Sequence, residues 1–136
     1  MSNLEQTLSI IKPDAVERNL IEEIKQEFKK NNFAILKEKK IKLEKHEAEK
    51  FYKVHQTKPF YNDLCEYLSS GPIIVIILEK ENAVVENRKI MGATDPKNAD
   101  EGTIRNKYGI SIDKNSVHGS DSVENAKKEI DFFFNT

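Results

Sequence analysis

The sequence predicts an α+β fold, a split βαβ sandwich in which helices cover a four-stranded, largely antiparallel sheet. Three observations carry that prediction. Ile73-Ile74-Val75-Ile76-Ile77-Leu78 is an unbroken, mostly β-branched run, the mark of a strand covered on both faces, and it belongs at the centre of the sheet. Around it, periodicities follow in the order strand, helix, strand, helices, strand, helix, strand, helix. The length, 136 residues, suffices for one hydrophobic core but not two, so residues 1–136 are expected to form a single domain.

Leu8-Ser9-Ile10-Ile11-Lys12 reads as a short strand ended by Pro13, which holds Lys12 extended at the strand end. Leu20, Ile21, Ile24 and Phe28 recur at helical spacing among Glu22, Glu23, Lys25 and Lys29, and Asn31-Asn32 stops this amphipathic helix. A second strand is expected from Phe33 towards Leu43; Lys37-Glu38-Lys39-Lys40 charges its centre enough to place it at a solvated edge. Ala48, Phe51, Tyr52 and His55 stand at i, i+3, i+4 and i+7, which puts two aromatic rings and an imidazole on one helix face. After Pro59, Tyr61, Leu64, Cys65 and Leu68 repeat that spacing until Ser69-Ser70-Gly71-Pro72 breaks it, predicting a hairpin of two short helices.

Beyond the central strand, Asn82 is expected to cap a helix with Val84, Val85, Arg88 and Met91 along one side, so that the stem of Arg88 runs along the core. From Gly92 to Gly109 no periodicity persists; so long a stretch, carrying Thr94, Pro96, Thr103 and Arg105, is either a functional loop or holds structure that periodicity misses. Ser116 and Val117 read as an extended entry to the last strand, and Gly119 as a turn. Asp121 with Glu124 reads as a capping box opening a terminal helix, on which Val123, Ala126, Ile130, Phe133 and Phe134 share a face.

Composition narrows the function. A third of the residues are charged, yet the formal net charge is −1, which argues against a protein that coats nucleic acid. Cys65, the one cysteine, excludes an intrachain disulfide and a cysteine-rich metal site, and is expected as a small buried apolar residue. Met1-Ser2-Asn3-Leu4-Glu5 lacks the basic-then-apolar pattern of an export signal, and the run at Ile73–Leu78 is too short to cross a bilayer. A cytoplasmic protein that needs neither membrane nor nucleic acid is expected.

No Gly-rich phosphate loop, dinucleotide fingerprint or His-Glu-x-x-His pattern is present, so any phosphate must be held by charged side chains. The cations outside solvated runs are Lys12, Arg88 and Arg105; taken singly each is better read as an ordinary surface charge, Arg88 least so. His118, in Asn115-Ser116-Val117-His118-Gly119-Ser120-Asp121, stands just before a helix start, where unpaired N–H groups favour an anion. On spacing alone it fits a structural turn residue as well as a reactive imidazole. Glu129, counted along the terminal helix, falls on the flank of the apolar stripe, where it either orients the His118 ring or is solvated.

Asn115-x-x-His118-Gly119-Ser120-Asp121, Lys12-Pro13-Asp14 and Gly102-Thr103-Ile104-Arg105 together resemble the nucleoside diphosphate kinases. The likeness extends to Tyr52, His55-x-x-x-Pro59-Phe60, Ser70-Gly71-Pro72, Arg88, Met91-Gly92-Ala93-Thr94 and Glu129, nearly the whole chain. It implies a ferredoxin-like sandwich and a ping-pong transfer of the γ-phosphoryl of a nucleoside triphosphate, ATP, to a nucleoside diphosphate through a phosphohistidine at His118. By that resemblance Glu129 holds one ring nitrogen and leaves Nδ1 to attack, Ser120 supports the carboxylate or phosphate, and Tyr52 and Lys12 place the phosphoryl group. Arg88, Thr94 and Arg105 clamp the α and β phosphates with His55 close by. Asn115 and Lys12 bind the ribose, and the base slides between Phe60 and Ile112 with Leu64 nearby. Mg²⁺ arrives with the nucleotide, held by phosphate oxygens and water rather than by a protein ligand set.

The family's oligomers are tetramers or hexamers, and in hexamers the Pro96 loop sits near the three-fold interface, so a homo-oligomer is expected. Glu22 and Ala15 stand where the family commonly has glycine, which touches packing rather than chemistry. The end at Thr136, without the longer eukaryotic tail, resembles the bacterial form. Two other readings compete. A phosphohistidine relay protein would leave Phe60, Ile112, Asn115 and Arg105 unexplained, and an RNA-binding sheet module would need aromatics that Ile73–Leu78 does not offer.

Overall fold

The computed structural model describes residues 4–53, 56–111 and 114–134. Strands β1 (Leu4–Ile11), β2 (Ala34–Ile41), β3 (Ile73–Glu81) and β4 (Val117–Gly119) form one four-stranded sheet in the order β2-β3-β1-β4, with every neighbouring pair antiparallel. Helices α1 (Pro13–Glu17), α2 (Ile21–Lys30), α3 (Lys45–Phe51), α4 (Tyr61–Leu68), α5 (Ala83–Met91), α6 (Ile104–Tyr108) and α7 (Val123–Phe134) complete the described elements. This is the split βαβ sandwich the sequence predicts.

The two-residue period of the strands sorts the core into two layers. Ile11, Ile74, Ile76, Leu78 and Val117 pack with Ile24 and Phe28 of α2, Met91 of α5 and Ile104 of α6. On the other face Leu8, Ile10, Ile73 and Val75 pack with Ala48 of α3, Cys65 and Leu68 of α4, and Phe133 of α7. Every residue from Ile73 to Leu78 is buried, because β3 has a strand on each side and helices on both faces. Strand β2 lies at the sheet edge with its lysine-rich centre exposed, and an irregularity between Ile35 and Lys37 breaks its register. Charge and a bulge both discourage edge-to-edge pairing. Cys65 is buried, as expected of a small apolar residue. Ala15 fits fully buried in the α2 layer, whereas Glu22 is exposed beside Lys25.

Several local expectations are corrected. Strand β1 begins at Leu4 rather than Leu8, and α1 opens directly on Pro13, whose missing N–H is harmless in a first turn. Asn82 does not cap α5 with its side chain; it takes a left-handed turn at φ 55°, and Glu5 of β1 accepts from the Val84 N–H at 2.9 Å instead. The buried stripe of α5 is Ala83, Val84, Asn87 and Met91, while Val85 is 57% exposed and Arg88 is exposed rather than laid along the core. The Gly92–Gly109 stretch is not structureless. It holds a 3-10 turn, Pro96–Asn98, and α6, whose five residues are too few to show periodicity and whose start is capped by Thr103 Oγ1 accepting from the Asn106 N–H at 3.2 Å. Helix α7 is capped by Ser122, whose Oγ accepts from the Asn125 N–H at 3.0 Å; Asp121 instead accepts from the Asn125 side chain at 2.6 Å. Ser116 is not extended but turns at φ 74°.

Gly119 lets α5 lie close to the strand of His118. A Cβ there would stand 2.5 Å from Asn87 Nδ2 and 2.8 Å from Met91 Cε, so both side-chain ends would have to shift.

Candidate active site

Strand β4 is short but fully registered on β1, with Ile10 opposite His118 and Ser9 opposite Gly119. Alternation turns His118 and then Ser120 towards the layer that contains α7, and Val117 towards the α2 layer. The Ser120 N–H donates to Leu8 O at 3.1 Å and extends the strand's hold by one residue. Helix α7 crosses this face and delivers Glu129, nearly two turns from its start. Its Oε1 lies 2.9 Å from His118 Nε2 and accepts from Ser120 Oγ at 2.8 Å. A carboxylate that accepts from both partners requires the hydrogen on Nε2, which leaves the lone pair on Nδ1. His118 therefore meets α7 through a side chain within the helix, not through the helix start.

The ring faces a cavity of about 440 Å³ lined by Phe51, Tyr52, Arg88, Gly119, Asp121 and Glu129 among others. Phe51 meets the imidazole edge to face, with ring centres 5.3 Å apart, and limits its rotation from the side opposite the strand. Tyr52 is buried at the end of α3, and that burial pushes its hydroxyl above the ordinary tyrosine range, so it enters the site as a neutral donor. Asp121 is held below the usual carboxylate range, first by its hydrogen bond from Asn125, and stays ionised.

Arg88 also borders a second cavity of about 440 Å³ with Gly92, Thr94, Asp100 and Arg105. Arg105 is 8% exposed; its guanidinium donates to Gly92 O at 3.0 Å and Val117 O at 2.9 Å, and its buried Nε has no hydrogen-bond partner among the described residues. Burial, then Arg88, lowers it to about 10, and it remains cationic at neutral pH. A desolvated guanidinium with a spare donor, facing a second arginine, is arranged for an anion.

Lys12 follows β1 directly, buried, and its ammonium donates to Asn115 Oδ1 at 2.9 Å. The Asn115 amide donates in turn to Thr94 O at 3.0 Å. Three residues far apart in sequence thus form one hydrogen-bonded chain. His118, Glu129, Tyr52 and Arg88 gather at one cavity, with Ser120 buried and bonded to Glu129, and Arg88, Arg105 and Thr94 at the next. Phe60 and Leu64 line neither cavity. Phe60 is 44% exposed with the Lys58 ammonium 5.7 Å from its ring centre, and Leu64 packs on the core beside Cys65. His55 and Ile112 lie outside the described residues. Periodicity puts Phe51 only on a helix face and Asp121 only at a helix cap; that Phe51 adjoins Tyr52 in the chain is the available signal for a wall of the site.

A family model described as Nucleoside diphosphate kinase matches residues 5–136. The chain belongs to the nucleoside diphosphate kinase family. A nucleoside diphosphate kinase from a Nitratiruptor species is 58% identical over 131 residues, covering 96% of each chain, and that of Campylobacter curvus is 55% identical with the same coverage. The crystal structure of the Aquifex aeolicus nucleoside diphosphate kinase superposes with a TM-score of 0.95 at 39% identity, over 96% of this chain and 95% of that one. That of Encephalitozoon cuniculi gives 0.94 at 37% identity, over 97% and 90%. The chain is a phosphotransferase of nucleotides, and the nucleoside diphosphate kinase fold is its whole described architecture. Among the described residues, no helix is long and apolar enough to cross a membrane.

Proposed function

We propose that residues 1–136 act as one domain that moves the γ-phosphoryl of a nucleoside triphosphate to a nucleoside diphosphate in two half-reactions through His118 Nδ1. In the first, the Nδ1–phosphorus bond forms as the bond from phosphorus to the β,γ-bridging oxygen breaks, and a nucleoside diphosphate leaves. In the second, a terminal oxygen of the incoming diphosphate attacks the same phosphorus and the nitrogen–phosphorus bond breaks. The observation that carries this reading is the Ser120–Glu129–His118 relay, which fixes the tautomer and turns the basic nitrogen away from the carboxylate.

Glu129 also balances the charge that the imidazole gains as Nδ1 bonds to phosphorus. Lys12 and the Tyr52 hydroxyl supply positive potential where the equatorial oxygens gain density, while Arg88, Arg105 and Thr94 hold the α and β phosphates. Asn115 with Lys12 takes the ribose. Phe60, Leu64 and Ile112 take the base, and His55 stands near the phosphates; these four assignments rest on family resemblance.

Mg²⁺ fits this donor set as a companion of the nucleotide. Among the described residues no three His, Cys, Asp or Glu side chains converge, and the cavities offer arginines with Asp121 and Asp100 at their borders. When bound, the ion draws charge from the polyphosphate oxygens.

Incubating the pure protein with γ-labelled ATP is expected to transfer label to the chain, and adding GDP to release it as labelled GTP. An unlabelled chain would sink the proposed route, and label that GDP cannot remove would favour a relay protein. A homo-oligomer of four or six chains in the cytoplasm completes the proposal. With a chain mass of 15.7 kDa, sedimentation is expected to give about four or six times that value; a monomer would refute this part.

A further inference from the structure

Outside the two cavities, a second polar cluster joins the segment after β1 to the segment before β4. Ser116 is fully buried and left-handed at φ 74°, closed by the Val117 N–H donating to Asn115 O at 2.9 Å. Any residue with a Cβ resists that conformation, so something must hold it there. Two segments do so. The Ser116 hydroxyl lies 3.3 Å from Asp14 Oδ2 and 3.3 Å from Arg18 Nη2, and the Ser116 carbonyl accepts from the Lys12 N–H at 2.9 Å. Asp14 is itself 6% exposed and ion-paired to Arg18 at 3.1 Å. Its other carboxylate oxygen accepts from the Tyr67 hydroxyl, and its own N–H donates to that same oxygen of Tyr67 at 2.9 Å. Arg18 reaches on to Tyr108 O at the end of α6. Burial and then the bond to Asp14 raise the Tyr67 hydroxyl above its ordinary range, which keeps its proton in place.

The Asp14–Arg18 pair has its arginine end exposed, so it is weak evidence of stabilisation; its dependable product is a fixed geometry. Here that geometry bears on the site from both sides. Asn115, one residue before the turn, holds Lys12 and Thr94; His118 follows two residues after it. None of Asp14, Arg18, Tyr67 and Ser116 lines the cavity at His118 or at Arg105.

We propose that Asp14, Arg18 and Tyr67 are positioning residues for phosphoryl transfer: they clamp Ser116 in its left-handed turn and so set the Lys12–Asn115 pair against the strand that carries His118. The inference rests on Lys12 and Asn115 acting as nucleotide contacts. Phosphoryl transfer is sensitive to such placement, since a shift of about 1 Å costs on the order of a hundredfold in rate.

Four variants test it: Ser116→Ala, Ser116→Gly, Tyr67→Phe, and Tyr67→Phe combined with Ser116→Gly, each assayed for kcat and nucleotide KM and checked by thermal unfolding. Alanine keeps the unfavourable Cβ but loses the clamp, so kcat/KM is expected to fall about tenfold, chiefly through KM. Glycine adopts the turn unaided and is expected to stay within about threefold of the parent. Tyr67→Phe should cost about fivefold in the parent and less than about twofold in the glycine background, since two changes to one device do not add. A merely structural serine predicts that the alanine and glycine variants differ in unfolding temperature but share the parent's kcat/KM, and that result overturns the proposal. Equal Tyr67→Phe losses in both backgrounds, or none in either, overturn it too. Should Tyr67→Phe fold poorly, the alanine–glycine order decides alone. A parent protein that takes no label from ATP defeats the transfer reading and this inference with it, whereas a labelled parent with the wrong variant order defeats only the clamp.

Discussion

His118→Ala is expected to abolish phosphoryl transfer, lowering kcat by on the order of 10⁵, while the nucleotide still binds within about threefold of the parent affinity. In the proposed route the imidazole supplies the bond-forming atom, and neither Glu129 nor Tyr52 offers a replacement nucleophile at that place. The carboxylate is committed to Nε2 and Ser120, and the Tyr52 hydroxyl is held protonated by burial. Binding survives because Arg105, Thr94 and the Lys12–Asn115 pair are held by backbone carbonyls and by each other, not by the imidazole. Single-turnover labelling with ATP and calorimetric titration with a nucleoside diphosphate read the two halves separately. Label on the variant would remove His118 as the phosphate carrier, and loss of binding would mean that the imidazole also organises the nucleotide site.

Arg105→Ala comes next in size and acts in two ways. With the guanidinium gone, one cationic side of the proposed phosphate clamp is lost, so nucleotide KM is expected to rise at least about tenfold while kcat falls less. The same change strands Gly92 O and Val117 O, each of which accepts a charge-assisted hydrogen bond, at a cost of about 3 kcal/mol in stability. Steady-state kinetics at several nucleotide concentrations and denaturant unfolding measure the two effects. An unchanged KM in a destabilised protein would make Arg105 a strut between α5 and β4 and nothing more. Arg88→Ala separates the roles further: Arg88 is exposed, so its loss should affect KM with little change in unfolding.

Much of the fold is legible in the chain because its signals are local and repeated. Ile73–Leu78 announces a strand buried on both faces, and Lys37–Lys40 announces an edge, with no knowledge of neighbours. The failures have one cause, a partner from elsewhere in the chain. Glu5 replaces Asn82 as the cap of α5, and the close fit of Asn87 and Met91 on Gly119 decides which face of α5 is buried, leaving Arg88 on the cavity rim. Helix α6, five residues long, lies below the length at which periodicity registers. The Ser116 turn was illegible for a related reason: serine has no preference for positive φ, and its holders stand about a hundred positions earlier at Asp14 and Arg18.

The order of residues alone specifies the sandwich class, the central and edge strands, and the residue types that converge on phosphate chemistry, since burial periodicity and side-chain identity are properties each segment carries without its neighbours. Whether His118 is a turn residue or a nucleophile lies beyond that reach. Folding selects the tautomer through Glu129 and Ser120, joins Lys12 to Asn115, leaves Arg105 a desolvated spare donor, and sets Ser116 under its clamp. Each of those depends on a distance between groups remote in the chain. An imidazole's reactive nitrogen is chosen by the partner of its other nitrogen, and that partner arrives only with the packing of α7 on the sheet.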